Sequence, residues 1–258
     1  SKGGGNRITM LLISLAAGLL VALLAALPAY AELTRVSPRV DRTGFPSWYQ
    51  DNTGVRVKLC VDSPLCLRGD PRPDRTKPAT IANRNLPDEA FYAAARAETD
   101  LDDGGKIRWR AVLEGAFSSP TVRPNRQITF TRTQVTGSNI NLAAYPVGTV
   151  LSFQTPYGEM TGEVESDGTL KTRLESPLGV RANGFRPPVT ETVTGYGPTI
   201  LKWDSGAPAG FLGRPLVPHT ITGGDGGVNT FRVFEGADPV SPLVTRFEIA
   251  GQCVQGTC

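Results

Sequence analysis

Beyond residue 31 this chain keeps no helical apolar period for longer than about a dozen residues, and it returns again and again to a period of two. In "VRVKLCV" (55–61), Val55, Val57, Leu59 and Val61 alternate with Arg56, Lys58 and Cys60; in "KIRWRAVLEGAF" (106–117), Ile107, Trp109, Ala111 and Leu113 share one side. Successive side chains of a strand point to opposite faces, so such stretches read as half-buried strands. "RQITFTRTQV" (126–135) sets Ile128 and Phe130 opposite a row of threonines. "TVLSFQT" and "MTGEVES" flank the turn "PYGE", and "NTFRVFE" and "LVTRFEIAG" alternate again. Asp167-Gly168 inside "EVESDGTLKTRL" is the strongest hairpin signal, because that pair tolerates the positive φ angles of a two-residue turn. Fifty of the 258 residues are glycine or proline, which suits short strands joined by turns. The expected fold is mainly β, an antiparallel β-sandwich of short strands with long loops. "LPDEAFYAAARAE" (86–98) stays open between a short helix, with Pro87 at its first position, and a strand.

The first 31 residues have a different character. Lys2 and Arg7 precede an unbroken apolar run from Ile8 to Leu27, followed by Pro28 and the Ala29-x-Ala31 pair, the layout of a signal peptide cleaved after Ala31. The alternative is an uncleaved anchor, since twenty residues at about 1.5 Å each could cross a hydrocarbon core. Residues 32–43 read as an extended lead-in and 44–258 as the β domain, with a division into two subdomains near 120–126 left open. Without Lys2 and Arg7 the chain carries 25 basic against 24 acidic residues. So balanced a surface gives no electrostatic case for nucleic acid or anionic lipid as a partner, and membrane contact is expected only through an uncleaved leader. Cys60 and Cys66 are close in sequence, as are Cys253 and Cys258, and two local disulfides are the expectation, although four cysteines allow three pairings. Together these features point to a secreted protein, extracellular or periplasmic.

Few residues offer chemistry. His219 is the only histidine, and neither a Gly-x-Ser-x-Gly elbow nor a reactive-cysteine signature accompanies it, which argues against Ser-His and Cys-His mechanisms. One histidine and paired cysteines also argue against zinc. "TDLDDGGK" (99–106) and "GGDGG" (223–227) lack EF-hand spacing and read as turns; no metal and no cofactor is expected. Asp51, Asp62, Asp204 and Asp225 read as turn acids bonded to nearby amides. A glycoside hydrolase needs only two carboxylates at a set separation, so a carboxylate-based secreted hydrolase is the competing function. Trp109 lies on the apolar side of its strand and reads as core, and Arg-Gly-Asp at 68–70 is too short a motif to carry meaning. The candidate ligand contacts are Trp48, Tyr49, Trp203, Asp204 and His219, aromatics with polar edges among turn residues and acids. The leading expectation is a non-catalytic binding or structural protein whose partner is extracellular polysaccharide or a surface protein.

Three stretches taken together resemble a family of bacterial secreted β-rich proteins: "GFPSWYQDNTGVRVKLCVDSPLC" (44–66), "VGTVLSFQTPYG" (147–158) and "LKWDSGAPAGFLGRPLVPHTITGGDGGVNTFRVFEG" (201–236). They look like that family's Gly-Phe-Pro-x-Trp-Tyr-x-Asp opening, its central strand ending in Thr-Pro-Tyr-Gly, and its later His-Thr-x-Thr-Gly…Asn-x-Phe-Arg segment. The chain departs from the pattern at Arg214 and at the "GGDGG" run, where the family has an acid and a Ser-Pro turn. The resemblance implies export and a β fold, and it brings no activity.

Overall fold

Period-two alternation becomes antiparallel sheet. The computed structural model describes residues 33–67, 69–70, 72–180, 185 and 199–258; the leader, Arg68 of the Arg-Gly-Asp tripeptide and most of the loose stretch 179–198 lie outside the described residues. Three strands of twelve residues form the middle: β4 (Glu89–Asp100), β5 (Lys106–Phe117) and β6 (Gln127–Ser138). β9 (Leu170–Val180) adds to β6, and on the other side follow β14 (Glu248–Cys253), β3 (Arg56–Lys58), β2 (Tyr49–Asp51) and β1 (Leu33–Val36). This eight-stranded sheet, antiparallel throughout, curls into a half-barrel. A second sheet has the order β13 (Asp238–Pro239), β12 (Arg232–Glu235), β7 (Val150–Thr155), β8 (Gly158–Glu163). A short ribbon pairs β10 (Lys202–Trp203) with β11 (Ile221–Thr222). The fold is mainly β and sandwich-like, as the alternation requires.

The core lies between the concave face of the large sheet and the four-stranded sheet. Trp109 is its centre, fully buried, edge-on to Phe247 at 5.8 Å and beside Tyr157 and Phe231. Its indole Nε1 donates to Thr133 Oγ1 at 3.0 Å. The threonines of β6 therefore face inward: Thr129, Thr131 and Thr133 are buried, while Phe130 sits on the opposite face. The hydroxyls of Thr129 and Thr133 give polar atoms of buried aromatics a partner, which a wholly apolar strand could not do. Tyr49 shares a hydrogen bond of 2.7 Å with Thr129 Oγ1 and lies edge-on to Tyr92, whose hydroxyl donates to the Pro46 carbonyl.

Segment 86–98 resolves as strand from Glu89 onward, because β4 has partners on both sides, β5 and β14, and its alanines let backbone and side chains pack closely. The Asp167-Gly168 turn forms, with Gly168 at φ +72° and Asp167 Oδ1 accepting from the Thr169 amide. It does not make a hairpin: β8 belongs to the small sheet and β9 pairs with β6, so the turn carries the chain from one sheet to the other. The hairpin is β7–β8, closed at Thr155 and Gly158.

The corner 44–66 is a stapled lead into the sheet. Gly44 has φ +80°, and a Cβ there would lie 2.3 Å from Gln127 Nε2, so no other residue fits without displacement. Phe45 packs edge-on to Phe117. Asp51 is fully buried and accepts four hydrogen bonds: from the Thr53 amide and hydroxyl, the Val55 amide and, at 2.7 Å, the Ile200 amide. Cys60 bonds to Cys66 and Cys253 to Cys258, with Cα separations of 5.2 and 6.0 Å, so the local pairing is the one adopted. Cys60 is buried although it alternates with apolar residues, because it bridges to Phe91 of β4. Two disulfides suit an oxidising environment, extracellular or periplasmic. Among the described residues no helix is long and apolar enough to cross a membrane.

Candidate functional site

β3 pairs with β14 only at Gln252 and Cys253, which leaves the rest of that side of β14 open. The loop from Asp204 to His219 fills the place: Leu212 donates to the Gly251 carbonyl, and His219 and Phe247 exchange backbone hydrogen bonds. This loop carries two of the five residues expected to meet a ligand, Asp204 and His219, and brings His219 to a third, Trp203 of β10. The His219 ring stacks on Trp203 with centroids 4.4 Å apart and planes inclined by 16°. Its Nδ1 lies 2.9 Å from the Thr220 carbonyl oxygen and 3.4 Å from Asp204 Oδ1. Nδ1 must donate to that carbonyl, so in the neutral ring Nε2 is left as an acceptor. The hydroxyl of Thr220 and the nearby Ser205 hold the Asp204 carboxyl below its ordinary range, so it is ionised at neutral pH. Gly213 lies under the indole, where a Cβ would come within 2.6 Å of Trp203 Nε1.

Trp203 and Asp204 line a groove of about 260 Å³ whose far wall is Ala207, Pro208 and Phe211, with Cys258 at one end. Trp48 is linked to this end of the fold. The Arg56 guanidinium lies 4.7 Å from the Trp48 ring centroid, and the Arg56 backbone bonds to Val254 and Thr257 of the C-terminal disulfide loop. Tyr49 is different: it has 0% exposure and its hydroxyl is used by Thr129, so it anchors the core and offers no surface. Asp62 pairs with Arg42 on the surface, and the Asp225 amide donates to the Pro156 carbonyl. No cluster of metal-ligating side chains occurs among the described residues.

A second constellation lies on the convex face of the large sheet. Opposite Trp109 on β5 stand Arg108, Arg110, Val112 and Glu114. Glu114 is flanked directly by Phe91 on β4 and Phe130 on β6, and it has 0% exposure. Neither carboxyl oxygen has a hydrogen-bond partner, and the nearest cation, Arg132, is 3.8 Å away. Burial, helped by the neighbouring Glu89, pushes its pKa up to about 8, and Arg132 and Arg110 oppose the shift only in part. In "KIRWRAVLEGAF" the apolar side is the conspicuous one. The same period of two places Arg108, Arg110 and Glu114 together on the other side, and that was the available signal.

The chain matches no protein-family model, no curated protein and no solved structure. The two constellations therefore have to be judged on their own chemistry.

Proposed function

We propose that this is a secreted or cell-surface binding protein that acts without catalysis, and that its ligand is an extracellular polysaccharide held at the Trp203–Asp204 groove, whose indole His219 supports by stacking on it. The observation that carries the reading is one groove whose lining joins the ionised carboxylate of Asp204 and the indole of Trp203, on which His219 stacks, to an apolar wall. A sugar ring presents hydroxyl donors at its rim and C–H surface on its faces. Asp204 accepts from the rim, while Ala207, Pro208 and Phe211 cover a face. The leader with its small-x-small site, the two disulfides and the resemblance to exported β-rich proteins all support export.

The test is retention of the disulfide-intact protein on a panel of insoluble polysaccharides and cell-wall preparations, compared with Asp204→Asn and His219→Gln. Retention that both variants lose supports the groove. Equal retention of all three proteins places the ligand elsewhere, and retention only on cell-wall protein makes a surface protein the partner.

A further inference from the structure

The convex face of the large sheet has an electrostatic imbalance. Register places Arg96 of β4 directly opposite Arg110 of β5, with Glu248 of β14 on the outer side of Arg96. Like charges so placed repel, and a sheet normally answers each with an acid. Most acids of this face are already engaged, and the two nearest Arg110, Glu89 and Glu114, attract it without forming an ion pair or a hydrogen bond. Glu98 takes Lys106 at 2.8 Å, Arg108 at 2.7 Å and Arg96 at 3.1 Å, Glu248 approaches Arg96 at 3.8 Å, and Glu175 takes Arg132 at 2.8 Å. Arg110 makes no ion pair and no hydrogen bond among the described residues; its guanidinium rests on the Phe91 ring, 5.0 Å from the centroid. Arg96 Nε is buried and also has no partner. The half-buried Arg110 guanidinium touches no carboxylate, and an entering anion supplies the charge-assisted hydrogen bonds it lacks.

These groups line a cavity of about 390 Å³, within the size range of small-ligand sites. Its floor is low because Ala94 and Ala250 have nothing beyond a methyl. Its rim carries Leu216, 75% exposed and held in a left-handed backbone conformation at φ +63° that leucine adopts only at a cost. Glu89 and Glu248 also line the cavity, but Arg96, Arg108 and Arg110 outnumber them, and this cationic side with an apolar floor and rim defines an amphipathic anion whose carboxylate the planar guanidinium matches.

We propose that this cleft binds a small organic carboxylate with an apolar body, the carboxylate between Arg96 and Arg110 and the body on Ala94 and Ala250 under Leu216. The site is separate from the Trp203 groove, and its test does not depend on that groove's ligand.

Isothermal titration with sodium hexanoate, its neutral isostere hexanamide and inorganic phosphate tests it. Hexanoate should bind saturably at one site per chain. Hexanamide should bind about tenfold or more weakly, the scale of one charge-assisted hydrogen bond, and Arg110→Gln should cost hexanoate the same factor. Leu216→Ser, at an exposed position, should weaken hexanoate several-fold and keeps the test decisive if the arginine variant does not fold. Absence of saturable binding, equal affinity for hexanamide, or phosphate binding as tightly as hexanoate would overturn the proposal.

Discussion

Glu114 shows how much one side chain can govern. A carboxyl whose folded pKa is raised from about 4.5 to about 8 holds its proton in the native state where the unfolded chain has lost it. Below the unfolded value both states are protonated and nothing is lost; as pH rises from there towards 8, native stability falls, and above 8 it levels off. Glu114→Gln removes the titration. The variant should melt with the parent at pH 4 and, since one kcal/mol is about 2–4 °C in a domain of this size, at least about 4 °C above it at pH 8. Thermal scans across pH check this, and parallel curves for the two proteins would contradict it. Thr133 makes a second case. Thr133→Val keeps the shape but leaves the Trp109 indole N–H buried without an acceptor, which should cost about 1–3 kcal/mol in denaturant unfolding. Neither role is visible in sequence, because each depends on which residue of a neighbouring strand stands opposite.

At the scale of elements, periodicity carried the reading. β3, β5, β7 and β12 lie within stretches that alternate in the sequence, and β6 and β14 begin in such stretches and run past them. β4 was ambiguous because a run of alanines satisfies helix propensity and, once flanked by β5 and β14, a close-packed central strand equally well; pairing over long separations decided it. Asp167-Gly168 specified its turn, but local chemistry could not say that the strands on either side would enter different sheets. The same limit applies to the sites. Trp203 and Asp204 are neighbours in sequence and His219 is fifteen residues on, and only the β10–β11 ribbon brings the imidazole back over the indole. The arginine row was legible as a period of two on β5, yet its partner Arg96 belongs to a strand whose register no pattern announces.

For the whole molecule, the disulfides and the core divide the work. Each bridge closes a short loop and stabilises by roughly 2 kcal/mol on chain-entropy grounds. Reduction should therefore lower the melting temperature by about 10 °C and leave the protein folded at 25 °C, since the Trp109 core does not depend on either bridge. Far-ultraviolet circular dichroism with and without reductant checks this; loss of the β spectrum at 25 °C on reduction would show the core to be insufficient. Cys258 also lines the Trp203 groove, so reduction should weaken ligand retention before it unfolds the sheet. The central claim is binding without turnover. Its most direct measurement incubates the disulfide-intact protein with insoluble polysaccharides and cell walls, then assays both the retained protein and the sugars released to the supernatant. The account predicts retention with no released sugar, and sugar release that persists with time would contradict it and turn attention to the aspartates.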